Sequence, residues 1–269
     1  MKKVCISLLA ALLALALMGC ATSTIQSDDG STVSNGYQQG GSTVVMRDGF
    51  TNIDIQWLSG SVTVELFDGA EPELSEALSG GGTVENPMEW RVHESTLTIR
   101  QQSSLFSAGE SKDLTVKLPR SLVLRELDVE TTSAAVSVAL SSDFPLADVE
   151  IETLSGTVSL TGVMANDVSL STNSGSVSGD VSAAELDMDT TSGLFALTLN
   201  GLPAEVDGES VSGCFDLTLS ESAVPAAPLL LQFRTTSGAL QCDVPYTLVP
   251  DDGQWEFHTT SGSVTISAS

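Results

Sequence analysis

The sequence predicts an all-β fold: a parallel β-solenoid (β-helix-like) whose irregular N-terminal β segment serves as a cap. Three observations predict it. A Thr-x-Ser-Gly tetrapeptide recurs, apolar residues alternate strictly on both sides of it, and the copies lie 18 to 25 residues apart. Taking each Ser as zero, seven copies fall at Ser133, Ser155, Ser174, Ser192, Ser212, Ser237 and Ser261.

Offsets −6 and −4 carry Leu127/Val129, Val149/Ile151, Val168/Leu170, Leu186/Met188, Leu231/Phe233 and Trp255/Phe257, with Gly208 the one exception beside Val206. Offsets +3 and +5 are apolar again, as in Val158/Leu160 and Phe195/Leu197, with Gly179 an exception. Period-two alternation means two short strands per repeat, each with one buried face. Across the Ser-Gly the phase slips by one, so the tetrapeptide is a corner. Its Thr and Ser fall in the inward set, and its Gly supplies a backbone conformation closed to other residues. Ala134 follows Ser133 in the first copy, which must bend differently. A lone strand pair is marginal, whereas stacked repeats bury a continuous core. Repeated hairpins with Ser-Gly as the loop have the same parity. The lack of Asn-Gly loops and the Thr-x-Ser repeated in place favour the solenoid.

An earlier copy precedes the array at Ile53, Ile55, Trp57, Ser59-Gly60, Val62 and Val64. Between them, alternating strands are expected at 90–92, 97–99 and 114–118, after the loop Gly80-Gly81-Gly82. Residues 44–126 are thus the irregular part and 127–269 the regular one. Trp255 and Phe257, in the last repeat, are expected to close the core.

The N-terminus has the form of a secretion signal. Lys2 and Lys3 precede an apolar stretch, 4–18, which ends on Leu17-Met18-Gly19-Cys20. The stretch is shorter than the roughly 20 residues of a spanning helix. It resembles the lipobox of bacterial lipoproteins, which implies a signal over 1–19 and a lipid on Cys20. The expected location is the outer face of the bacterial cell membrane, with the membrane itself as a partner through that lipid. Residues 20–43, rich in Ser, Thr, Gln and Gly, read as a flexible tether, and 44–269 as the folded domain.

Without Lys2 and Lys3 the chain keeps 8 basic against 35 acidic residues, a formal charge of −27. Nucleic acid and anionic lipid surfaces are therefore excluded as partners. From Glu126 onward there are 21 acidic residues and one basic one, Arg234.

From Phe50 to the C-terminus the chain resembles the "putative adhesin" family of bacterial surface proteins. The carriers are Trp57-Leu58-Ser59-Gly60-Ser61-Val62-Thr63-Val64, Leu114-Thr115-Val116-Lys117-Leu118-Pro119, Leu127-Asp128-Val129-Glu130-Thr131 and the Thr-x-Ser-Gly copies. The resemblance implies a β-helix-like fold, a cell-surface role and no catalytic residues. Some relatives suggest an alternative role as an accessory protein of an envelope-stress system.

A serine nucleophile needs a base within hydrogen-bond reach. Of two histidines only His258 lies beside a corner, on the outward set, so no triad is expected. Cys214 falls on the outward and Cys242 on the inward set, so no disulfide is expected and Cys242 should be a free, buried thiol. The sharpest constellation is acidic. Asp128/Glu130, Glu150/Glu152, Asp187/Asp189 and Asp207/Glu209 hold offsets −5 and −3 on the outward face, with Ser169/Ser171 between. Stacking brings like charges together. Solvation and salt relieve this, and Ca²⁺, which takes several carboxylate oxygens, is the cofactor such a face could hold. Otherwise no cofactor is expected. The reading is a non-catalytic binding or structural module for an envelope or host-surface ligand. The rival is a polysaccharide-acting β-helix enzyme using two carboxylates as acid and base.

Overall fold

The computed structural model describes residues 24–26, 32–34, 36–39, 43–46, 49–102 and 110–269. It divides into two compact units, Met1–Gln38 and Gln39–Ser269. In the first, β1 (Thr24–Gln26) and β2 (Thr32–Ser34) pair antiparallel. This pair lies inside the 20–43 stretch read from the sequence as a flexible tether. Cys20 and the 1–19 signal lie outside the described residues. Among the described residues no helix is long and apolar enough to cross a membrane.

After β3 (Gln38–Gln39), the second unit begins with β4 (Thr43–Val45), β5 (Asn52–Trp57), β6 (Gly60–Phe67), β7 (Glu73–Leu78), β8 (Glu89–His93), β9 (Thr96–Arg100) and β10 (Lys112–Pro119). The regular array follows as β11 (Glu126–Thr131), β12 (Ala135–Ala139), β13 (Leu146–Thr153), β14 (Thr157–Thr172), β15 (Ser176–Ser182), β16 (Glu185–Thr190), β17 (Leu194–Leu199), β18 (Glu205–Ser210) and β19 (Cys214–Leu219). The chain ends with β20 (Leu229–Thr235), β21 (Ala239–Cys242), β22 (Tyr246–Leu248), β23 (Trp255–Thr259) and β24 (Ser263–Ala268).

Equivalent residues of successive repeats pair in parallel. Thr131 is in register with Thr153, Thr153 with Thr172, and Thr172 with Thr190. That pairing selects the solenoid over repeated hairpins. The strands before each corner form one sheet and those after it a second. The long β14 belongs to both, its first part pairing with β12 and β15 and its last part with β13 and β16. Between the sheets lies the core, where Val149, Ile151, Val158, Leu160, Leu186 and Phe195 are almost inaccessible.

The coils do not stack in chain order at either end. The coil of β9 and β10 lies outside that of β5 and β6, which pairs on its other side with β11 and β12. Beyond it, β8 adds to β9, β7 to β10, and β4 to β7, all antiparallel. At the other end the last coil in sequence, β23 and β24, is inserted between β18/β19 and β20/β21. Trp255 and Phe257 therefore do not close the core as expected; they lie inside it, fully buried.

The corner glycines correct a second expectation. Gly156, Gly175, Gly193, Gly213, Gly238 and Gly262 are not among the residues with positive φ. Their reason is close approach: a Cβ on Gly156 would collide with the Ala134 carbonyl oxygen of the neighbouring coil. Thr Oγ1 accepts the N–H of the Gly three residues on, at 2.8 Å for Thr153–Gly156 and for Thr172–Gly175. The Ser is outward, contrary to its parity, and donates to a carbonyl of the next coil, as Ser155 Oγ does to Thr132 O at 3.3 Å. Ala134 turns the same corner without Gly, with Ser133 N–H donating to Leu58 O at 2.9 Å.

Gly208, the gap in the apolar pattern, also has a packing reason. A Cβ there would meet the Phe257 ring, which belongs to an aromatic series with Phe215 (centroids 5.6 Å apart) and Phe195 (5.5 Å from Phe215). In the N-terminal part, Lys112 and Glu76 form a buried ion pair at 3.1 Å. Glu76 also accepts the Met88 N–H at 2.7 Å, and Lys112 Nζ donates to Asn86 O. Alternation alone gave no sign of this pair.

Candidate functional site

The outward face of the first sheet is built by the same alternation that fills the core: every second residue of β5, β11, β13, β14, β16, β18 and β23 turns away from it. Parallel pairing without register slip converts equivalent offsets into rows. At offset −5 the row runs Asp54, Asp128, Glu150, Ser169, Asp187, Asp207, Glu256. At offset −3 it runs Gln56, Glu130, Glu152, Ser171, Asp189, Glu209, His258. All eight acidic residues expected from the sequence lie in these rows, with Ser169 and Ser171 interrupting both.

A third row, at offset −7, consists of Asn52, Glu126, Asp148, Asp167, Glu185 and Glu205. The sequence reading missed it, together with Asp54 and Glu256. The signal was present, because odd offsets share one face and −7 is acidic in five consecutive copies. Asn52 Nδ2 donates to Glu126 Oε2 at 2.5 Å.

Adjacent strands hold these carboxylates about 4.8 Å apart. Partial burial comes first and neighbouring charge second in pushing Asp128 up to about 7, with Glu150, Asp54, Glu130 and Glu152 around it. Glu152 is likewise raised to about 7 by burial, then Glu150 and Glu130. Asp189 and Asp207 rise to about 6, again by burial first and then Glu209; His258 offsets part of this at Asp207. Glu130, Asp148 and Asp187 are raised too, by burial first and then neighbouring carboxylates, and Asp54 is raised by burial although Gln56 and Arg91 pull it down. One oxygen of Asp207, Oδ1, is buried without a hydrogen-bond partner.

Among the described residues, Arg91 and Arg100 stand at one end of this face and Arg234 at the other, while His258 lies within the −3 row. Arg100 of β9 extends the −3 row beyond Gln56 and pairs with Glu89 at 2.5 Å. Arg234 of β20 extends it beyond His258 and pairs with Asp251 at 2.6 Å.

Among the described residues no three His, Cys, Asp or Glu side chains converge to hold a metal ion. The carboxylates are spread along the face, so the calcium expectation finds no preformed site. His258 and the corner Ser261 turn to different partners. The His258 ring lies 3.2 Å from Gln232 Oε1, while Ser261 Oγ donates to Val211 O at 3.4 Å. Cys214 and Cys242 are both free. Cys242 is half-buried rather than fully buried as expected, because its coil is the outer one; burial still raises its thiol.

The face of the second sheet is different in kind. Its outward rows run through Thr63, Ser137, Ser159, Ser178, Ala196, Asp216 and Thr265. The solenoid thus presents one acidic and one largely hydroxyl-bearing face.

A family profile described as Toastrack DUF4097 matches residues 50–269. The chain belongs to this family. Toastrack is the family that the tryptophan motif and the Thr-x-Ser-Gly copies resemble, and its β-solenoid-like architecture is the one described above. The chain is also similar, at low identity, to several solved structures. A crystal structure of a "putative adhesin" from Parabacteroides distasonis is 11% identical, covering 83% of this chain and 94% of its own, with a TM-score of 0.47. A "putative adhesin" from Bacteroides fragilis is 14% identical, covering 84% and 96%, with a TM-score of 0.46. A "putative lipid binding protein" from P. distasonis is 14% identical, covering 83% and 95%, with a TM-score of 0.45. No curated protein matches the chain.

Proposed function

We propose that this Toastrack chain is a non-catalytic binding module, displayed on the outer face of the bacterial cell membrane by a lipid on Cys20. Its acidic sheet face takes cationic groups of an envelope or host-surface ligand. One observation carries the reading: three in-register acidic rows on the outward side of one sheet, with arginines at the ends of that face. Such rows destabilise adjacent strands. A partner that supplies positive charge relieves that repulsion, so binding and stability are coupled. The regularity of the repeat supports a non-catalytic role, since the same rows run through successive coils and no pair of carboxylates is set apart from them as acid and base.

The test compares the full chain with the triple variant Asp128→Asn, Glu152→Gln, Asp189→Asn. Purified envelope and host-surface components, with poly-lysine as a defined cationic probe, are presented to both at several salt concentrations. The variant is expected to bind the probe and any captured component at least tenfold more weakly, with a shallower salt dependence. Captured components that bind both forms alike would overturn the role of the acidic face. Sugar release from a polysaccharide panel would overturn the non-catalytic reading.

A further inference from the structure

The end of the solenoid at β20, β21 and β22 stops half-way through a coil. In the first sheet β22 stacks on β20, with Tyr246 in register with Leu229 and Leu248 with Leu231. Parallel partners in register share a facing, and Leu229 and Leu231 are buried core residues. Tyr246 and Leu248 therefore face inward, yet they are 40% and 58% exposed. What would cover them is a strand in the second sheet beside β21. Among the described residues β21 pairs only with β24, so its other edge is open.

The edge is also unguarded. Natural sheets blunt their edges with lysine, proline or a covering element. β21 reads Ala-Leu-Gln-Cys and carries none of these, and Leu240 and Cys242 are only partly buried behind it. The opposite end of the solenoid is finished differently, by the antiparallel β8, β7 and β4.

Charge distinguishes the same end. The chain carries a formal charge of −25, whereas this end, residues 229–252, holds one basic and three acidic side chains, Arg234, Asp243, Asp251 and Asp252, with Arg234 paired to Asp251. A second copy repelled along the acidic face meets far less charge here.

We propose that this end is a homodimer interface in which each copy completes the other's unfinished coil. Each copy has one surplus half-coil, β22, and one open position, beside β21. A two-fold axis that exchanges the two sheets puts β22 of each copy beside β21 of the other. One shared coil then closes the core, with Tyr246 and Leu248 meeting their counterparts. Such a contact is isologous and self-limiting, and the capped opposite end prevents growth into a filament.

The experiment measures the mass of the full chain, detergent-solubilised where lipidated, by light scattering and sedimentation from 1 to about 200 µM. The expected result is a dimer that Tyr246→Lys with Leu248→Lys converts to monomer without changing the circular-dichroism melt of the monomeric state. Val123→Lys, at a 73% exposed position elsewhere, leaves the dimer intact. Independently, Leu248→Cys in a background lacking Cys214 and Cys242 is expected to form a disulfide-linked dimer under mild oxidation. A monomer at every concentration would overturn the proposal, as would a dimer indifferent to the lysines or an open-ended polymer. Hydrogen exchange showing β21 already protected in a monomer would overturn it too, because another segment of the chain would then occupy the edge.

Discussion

Thr153 Oγ1 accepts the backbone N–H of Gly156 at 2.8 Å, and the same Thr hydroxyl accepts from Thr131 Oγ1 of the neighbouring coil at 2.9 Å. The tetrapeptide is thus a buried polar corner joined to its neighbour, so its parts should differ sharply in mutational cost. Thr153→Val leaves the Gly156 N–H buried and unpaired, which costs about 1–3 kcal/mol. Gly156→Ala drives a methyl into the Ala134 carbonyl and is expected to cost about 3 kcal/mol. Ser155→Ala removes one outward hydroxyl and is expected to cost less than about 1 kcal/mol. Urea unfolding of the three variants checks the order. A Ser155 variant as damaging as Gly156→Ala would contradict this account of the corner.

The acidic face predicts an unusual dependence on pH. Burial and like charge raise Asp128 and Glu152 to about 7 and Asp189 and Asp207 to about 6 in the folded chain. Unfolded carboxyls titrate near about 4. Between those values the folded state holds more protons than the unfolded one, so stability falls as pH rises through the window. The melting temperature should therefore be higher at pH 5 than at pH 8, and Asp128→Asn should flatten the difference. Because these groups are partly exposed, solvent screening reduces the effect. A melting temperature that rises steadily from pH 5 to pH 8 would contradict the assignment.

Cations test the same repulsion by another route. With no converging ligand set, Ca²⁺ should act on the face as screening charge. The expected outcome is a melting temperature that rises with NaCl, and with CaCl₂ by an amount that ionic strength accounts for. A saturable calorimetric signal with one or two ions per chain would show a discrete site instead.

Lys112 and Glu76 are the buried pair of the N-terminal part. Lys112→Met should destabilise the fold by about 3–5 kcal/mol, because Glu76 is left charged and unpaired. Adding Glu76→Gln should recover part of that loss, since an amide oxygen can still accept the Met88 N–H. Thermal melts of the single and double variants measure it, and a double variant no better than the single one would mean that the loss comes from packing.

At offset −4 every other copy is apolar, and a repeat consensus would place Leu at Gly208. The Phe257 ring already fills that space. Gly208→Leu is therefore expected to cost about 3 kcal/mol or more, despite restoring the pattern. A stabilised variant would show that the ring can move aside.

Strand content, corner positions and the inward or outward facing of most residues were legible in the sequence, because each depends on alternation over a few neighbouring positions. The acidic rows were legible for the same reason, and the −7 row required only one more offset. Three things depended on tertiary structure. The corner Gly answers to a carbonyl one coil away, which no local conformational rule reports. The carboxyl pKa values arise from burial together with register between strands about 20 residues apart in sequence. The stacking order is non-local in the strongest sense. The coils present similar alternating strands, so local pattern does not say which coil stacks on which. Only the complete packed chain sets β5/β6 inside β9/β10 and β23/β24 inside β20/β21.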